Sequence, residues 1–480
     1  MKNKIILILI FVIYTLVAYP CTIGIASPTI TASGKPILWK SRDIGPNTIN
    51  TIRYVDNLTY NFVGISTPGE NRVWMGVNEM GLSIANSLSN DLTIDEGTFN
   101  NGNLIFNSLG LFASLSEFED YLEFLVNSNL DLELRGNFVA FDSTGTTKLY
   151  EINNNNFWIF ETEDEIQPYL LRTNHSVNGG GIDGIERLIR SNTIIGNLVE
   201  SNELSVNKLL TKHVRDVSDI FSQPYDLPWQ YGDPTPLLNT TYSINRANTI
   251  SAVVIEGIQA GQSPQLTTMW LIMGNPFTTY AIPLLPNLRP NFSNINNISE
   301  NSPELVNILW DSDNSFYLDT SKFIKPNFSL LSELESNENR IYSSFEELKT
   351  QWVSDEITNT QITSYINQEV ESALVFSSEL FYNFTPNSNN DITPLLTLKI
   401  YPNPFTTNLT IETKAKQPDN GSVKIYNIRG QLVKNIKSLP DNISKWNGEN
   451  NANQPLPPGI YLIKYESDRE SVTRKVVLMK

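Results

Sequence analysis

Cys21–Ser27 reads CTIGIAS and Ile37–Asp43 reads ILWKSRD, with PTITASGKP between them. The first stretch is short, rich in β-branched residues and alternating, which predicts a strand. The middle is rich in Gly, Pro and Ser and predicts a turn. The second stretch is again strand-like, so the two should pair as a hairpin. Such a hairpin places Lys40, Arg42 and Asp43 beside Cys21. A cation next to a thiol lowers its pKa, and a carboxylate next to an amine orients it. Taken alone, Lys40 and Asp43 read better as ordinary strand-edge charges.

Cys21 is the one cysteine in 480 residues, so an internal disulfide is impossible. It stands where an apolar leader ends. Lys2 and Lys4 precede IILILIFVIYTLVA (5–18), the pattern of a secretory signal, which predicts removal of residues 1–20. No second apolar run long enough to span a membrane follows. Cys21 then has three readings. A lipid-anchoring cysteine fits poorly with Ala18, Tyr19 and Pro20 before it. A buried structural cysteine is the second. In the third, removal of the leader makes Cys21 the first residue, carrying a thiol and a free α-amine together. That amine titrates at about 7.7–8.0, so it is partly neutral and can take the thiol's proton. No histidine is then required, in a chain with only His175 and His213.

The formal net charge of −17 excludes nucleic acid and anionic lipid as natural partners. One cysteine and two histidines leave no structural zinc set, no phosphate-binding glycine loop is visible, and no cofactor is expected. GIDGIERLIRSNTIIGNLVESN (181–202) and SLSEFEDYLEFLVNS (114–128) have helical apolar spacing and predict amphipathic helices that pack on a sheet. His213, in a helical stretch, is expected at the surface. His175 invites a papain-like pairing with Cys21, which the strand after the cysteine argues against.

The order of these features resembles the N-terminal nucleophile hydrolases acting on linear amides. These include choloylglycine hydrolases, penicillin V acylases and the acyl-CoA:6-aminopenicillanic acid acyltransferase group. WMGVNEMGLSIANSLSN (74–90), GNFVAFDSTGTTKLYEIN (136–153), YLLRTNHS (169–176) and TTYSINRANTISAVVIEG (240–257) extend the resemblance, which covers roughly residues 21–290. It implies an α+β fold, a four-layer αββα sandwich, over residues 21–283. Cys21 is implied as nucleophile with its own amine as base, and Asp43 as the group holding that amine. Lys40, Arg42 or Arg246 would tune the thiol and a substrate carboxylate. Asn174 and the backbone near Asn86 would bind the oxyanion. The implied substrate is a small N-acyl amide, hydrolysed or passed to another acceptor. Lys40 stands where the choloylglycine branch has arginine, with Arg42 a second candidate for that cation, so the resemblance does not imply bile-salt specificity. A surface binding protein on an inactive scaffold and a lipoprotein anchored through Cys21 are the readings from other classes.

Residues 284–383 predict a partly helical extension, and 384–395 a polar linker. From 396 to 480, about seven short strands predict an all-β sandwich. Tyr401-Pro402-Asn403-Pro404, IYNIRGQLV (425–433), Trp446-Asn447-Gly448, LPPGIYLIK (456–464) and the closing KVVLMK (475–480) resemble the C-terminal sorting domain of the Bacteroidetes type IX secretion system. That resemblance implies the secretion machinery as partner and a secreted or surface location.

Pro20 disfavours ordinary signal peptidase at the Cys21 bond. Upstream cleavage followed by self-processing predicts that the mature wild type begins at Cys21, whereas Cys21→Ala begins further upstream. N-terminal sequencing of both checks this; a shared first residue rules self-processing out.

Overall fold

The structure, a computed structural model, describes residues 21–44, 50–67, 71–94, 96–218, 238–290, 323–324, 330–383, 396–403, 405–415, 421–427, 431–437, 443–466 and 471–479. The expected leader at 1–20 and linker at 384–395 lie outside the described residues.

The fold is mixed α+β. A first antiparallel sheet runs in the order β12 (Tyr169–Arg172), β1 (Thr22–Ala26), β2 (Ile37–Asp43), β14 (Thr249–Glu256), β15 (Thr268–Met273), β16 (Ile282–Leu284). The predicted hairpin is its centre: Thr22 lies opposite Ser41 and Ala26 opposite Ile37. The chain leaves β1 through a short 3-10 turn, Pro28–Ile30, where Ser27 Oγ accepts from the Thr29 N–H. Gly24 is obligatory in β1, because a Cβ there would lie 2.3 Å from the Trp39 ring and 2.6 Å from Leu171.

A second antiparallel sheet runs β11 (Phe157–Glu161), β10 (Thr147–Asn153), β9 (Arg135–Phe141), β6 (Ser83–Leu88), β5 (Val73–Asn78), β4 (Phe62–Ser66), β3 (Thr51–Val55). Two short ladders accompany them, β7 (Phe99–Asn100) with β8 (Leu132–Glu133), and β13 (Leu238–Asn239) with β17 (Phe323–Ile324). Alternation along the second sheet sorts its side chains into two cores. Val63, Ala85 and Val139 join Ile23, Ile25 and Trp39 of the first sheet. Their neighbours Phe62, Ile84 and Phe138 pack instead against Leu104 and Leu109 of α1 (Asn101–Leu111) and Phe118 and Leu122 of α2 (Leu115–Val126). The larger core continues to α3 (Ile185–Glu200) through Ile194 and Leu198. It also reaches α4 (Leu331–Val353) and α5 (Asn359–Asn383) through Leu334, Phe345 and Ile366.

The extension after residue 284 is thus fastened to the body. Its firmest tie is polar: Arg215 grips both carboxylate oxygens of Glu338 on α4 at 2.7 Å, both side chains nearly fully buried. Glu338 also accepts from the Ala281 N–H. At the C-terminus, β18 (Leu396–Tyr401), β19 (Leu409–Ala415) and β22 (Ile443–Trp446) form one sheet. There β20 (Ser422–Asn427), β21 (Leu432–Lys437), β23 (Gly459–Glu466) and β24 (Ser471–Leu478) form another. They share a core around Trp446, Ile411 and Ile463. No helix among the described residues is long and apolar enough to cross a membrane.

Glu338→Ala strands the Arg215 charge in the interior and should cost about 3–5 kcal/mol. Denaturant midpoints of variant and wild type measure it; an unchanged midpoint would contradict the pairing.

Candidate active site

The site grows from the register of three strands. In β1–β12, Ile23 lies opposite Arg172, so two residues further on Cys21 falls opposite Asn174. In β1–β2, Thr22 lies opposite Ser41, so Cys21 falls opposite Arg42. The Cys21 N–H donates to Asn174 Oδ1 at 3.0 Å. The thiol lies 4.0 Å from the Asp43 carbonyl oxygen, and Cys21 is only 7% exposed.

Every residue of β2 is buried, so its charges are interior rather than edge charges. Lys40 Nζ donates to the Trp74 carbonyl at 2.8 Å and to Asn86 Oδ1 at 3.0 Å. Burial pushes its pKa down to about 7, against the opposing pull of Cys21 and Asp43. Arg42 donates to Asn50 Oδ1 and lies over the Trp74 ring, 5.3 Å from its centre. Asp43 accepts from Thr249 Oγ1 at 2.6 Å and faces Arg246 Nη1 at 4.0 Å. Burial raises its pKa to about 6, although Arg246 and Arg187 hold it down. Burial lowers Arg246 to about 10, with Asp43 opposing.

Lys40, Arg42, Asp43 and Asn174 therefore converge on Cys21, and Arg246 joins them through Asp43. The atoms that meet differ from those the sequence suggests. The group bonded to the Cys21 nitrogen is the Asn174 amide oxygen, and the Asp43 carboxylate is engaged with Thr249. Asn174 Nδ2 donates to the Leu88 carbonyl at 2.9 Å. Asn86 sits in β6 opposite Phe138, its side chain serving Lys40.

Asn174 belongs to a loop held by buried polar groups. The Thr173 carbonyl accepts from Ser87 and Asn137, and Ser176 Oγ donates to Asn137. Glu151 pairs with Arg172 at 2.8 Å and accepts from the Val177 and Asn178 N–H groups. Asp91 accepts from the Ser176 and Gly181 N–H groups. His175 Nδ1 is 2.9 Å from the Asp183 carbonyl, a backbone contact that fixes the same loop.

One residue escaped sequence analysis. Arg187, on α3, donates to the Cys21 carbonyl at 2.5 Å, to Thr22 Oγ1 at 3.0 Å and to Asn174 Oδ1 at 2.7 Å. The available signal was a charge on the buried face of an amphipathic helix: Arg187 and Arg190, one turn apart, are both buried there. Arg190 pairs with Asp216 at 2.8 Å. His213, expected at the surface, is fully buried. It lies on a π-helical turn, Leu209–His213, edge-on to Trp39, with Nε2 2.6 Å from Ser191 Oγ.

Residues 399–479 match the family model described as "Secretion system C-terminal sorting domain". That segment is a secretion sorting domain. It places the chain among secreted or cell-surface proteins and gives it the secretion machinery as partner. No curated protein matches the chain. Among solved structures, it is similar to a mutant of the conjugated bile acid hydrolase from Clostridium perfringens. That match has 11% identity and TM-score 0.34, covering 56% of this chain and 93% of that one. It is also similar to penicillin V acylase from Agrobacterium tumefaciens, at 15% identity and TM-score 0.31, covering 55% and 86%. A third is the Caenorhabditis elegans ortholog of N-acylethanolamine-hydrolyzing acid amidase, at 13% identity and TM-score 0.33, covering 52% and 100%. At these values the likenesses carry no functional argument, which rests on the site.

Burial, and then the Arg190 charge, press His213 from 6.5 to about 3. The unfolded chain therefore takes up a proton between those values that the native chain does not. The contribution of His213 to stability is complete above 6.5 and is lost as pH falls through this window, by an amount on the order of a few kcal/mol. His213→Gln should flatten the slope of unfolding free energy against pH between about 3 and 6.5, measured by urea titration. An unaltered slope contradicts a neutral native His213.

Proposed function

We propose that the chain is a secreted N-terminal nucleophile hydrolase with an αββα catalytic unit, cleaving a linear carbon–nitrogen amide bond of a small N-acyl substrate. The catalytic unit spans 21–283, and 284–383 is its extension. The observation that carries this proposal is the environment of Cys21. A lone cysteine directly after an apolar leader has its nitrogen held by Asn174. Buried Lys40 and Arg42 lie on the strand paired with it, Arg42 directly across from Cys21.

Loss of the leader turns the Cys21 nitrogen into an amine. One of its N–H bonds donates to Asn174, which leaves the lone pair for the thiol proton. The proton moves from sulfur to nitrogen as sulfur bonds to the substrate carbonyl carbon, and Lys40 and Arg42 stabilise the developing thiolate. The carbonyl electrons move to oxygen, where the Asn174 amide and a backbone N–H beside Asn86 receive the charge. Collapse breaks the C–N bond, and the leaving nitrogen takes the proton from the Cys21 ammonium. A thioester remains. Water attacks it, gives its proton to the same amine, and releases the acid as sulfur recovers that proton. Arg42 or Arg246 is the partner for a substrate carboxylate. Asp43 holds Arg246 in place. Acyl transfer needs only that an amine replace water in the second half.

Mature wild type should cleave some member of an N-acyl amide panel and gain one acyl mass when quenched early. Cys21→Ala should do neither, and Cys21→Ser should lose most activity. Asn174→Ala should lower kcat about 10²–10³-fold, the usual cost of one oxyanion donor. Intact mass spectrometry and product assays read these outcomes. Full activity of Cys21→Ala would remove the mechanism. Binding without turnover in the wild type would favour a binding protein on an inactive scaffold.

A further inference from the structure

We propose that Arg187 is a positioning residue that keeps the Cys21 amine unprotonated. The inference rests on the reading of Cys21 as a mature N-terminus with its amine as base. Three contacts carry it. One guanidinium bridges the Cys21 carbonyl, the Thr22 hydroxyl and the same Asn174 oxygen that receives the Cys21 N–H. Arg187 is buried, at 2% exposure, so water screens its charge little.

The consequence is electrostatic. A guanidinium stays charged at any working pH. Beside it, an ammonium is disfavoured and a neutral amine favoured. Sharing Asn174 Oδ1 strengthens the effect, because that oxygen already accepts a charge-assisted bond and has less to give an ammonium. The amine's lone pair is thereby kept for the thiol proton. The surroundings add to the same bias. Lys40 and Arg42 approach from β2, and Arg246 from the segment before β14. Asp43 on β2 opposes them, with its charge shared by Arg246 and Arg187. Asp183 and Tyr242 bear on Arg246, and His175 is engaged with the Asp183 carbonyl. Arg187 is the cation bonded to the residue that binds the nitrogen. It also approaches from the α3 side, whereas Lys40 reaches toward the second sheet at Trp74 and Asn86.

The single cysteine makes the test direct, because [15N]cysteine labels one backbone nitrogen in the chain. The 15N shift of the mature protein is followed against pH in wild type, Arg187→Gln and Arg187→Lys. In the wild type the amine should titrate below the ordinary range of about 7.7–8.0. In Arg187→Gln the midpoint should rise by about one pH unit, a roughly tenfold gain in proton affinity. Arg187→Lys keeps the charge and should stay close to wild type. A wild-type midpoint at or above the ordinary range overturns the proposal, even if the glutamine variant does not fold. So does a midpoint shared by wild type and Arg187→Gln, or an equal rise in both variants. A label that reports a non-titrating amide overturns the N-terminal-nucleophile reading itself, a result distinct from a titrating amine indifferent to Arg187.

Discussion

The bond between the Cys21 nitrogen and the Asn174 amide oxygen is the constraint on which the rest of the site depends. It exists because β12, β1 and β2 are neighbours in one register, which sets Asn174 on one side of Cys21 and Arg42 on the other. A slip of β1 by one residue would turn Ile23 out of the core and take Cys21 away from Asn174 and Arg42. The tight packing of Gly24 beneath Trp39 works against such a slip, since no other residue of β1 lacks the Cβ that would strike the indole.

Around that bond the protein gathers an unusual density of buried charge. Lys40, Arg42, Asp43 and Arg187 are all nearly inaccessible, and three have displaced pKa values caused first by desolvation. Charges so placed are costly unless they meet partners. Here each has at least one: Asn86 and a carbonyl for Lys40, Asn50 for Arg42, Thr249 for Asp43, Asn174 for Arg187. Two sheets that share an apolar core, which runs on into α3, α4 and α5, supply the stability such a cluster consumes.

The hairpin, the α2 and α3 helices and the C-terminal strands were legible because each has a clear period, of two or of about 3.6 residues. The convergence of Lys40, Arg42 and Asp43 followed from the hairpin, since strand pairing is local there. The atoms of contact were not legible. That Asn174 meets the Cys21 nitrogen with its oxygen, and that Thr249 takes the Asp43 carboxylate, depend on residues 153 and 206 positions apart. No local pattern encodes such pairs. Arg187 and His213 were missed for one reason. Both lie on helices whose apolar spacing suggests a solvent-facing polar side, whereas α3 and the π-helical turn carry polar groups on buried faces.

The place of the β1–β2 hairpin in its sheet has a consequence for assembly. Both of its flanking strands arrive much later in the chain, β12 ending at Arg172 and β14 beginning at Thr249. As the polypeptide emerges in order, this hairpin is born with two naked rims, each an invitation to foreign strands. It must wait for distant segments to close over both, a slow kind of folding. No fragment that stops short of Thr249 can hold the finished site, because Asn174, Arg187 and Thr249 all follow the hairpin they complete.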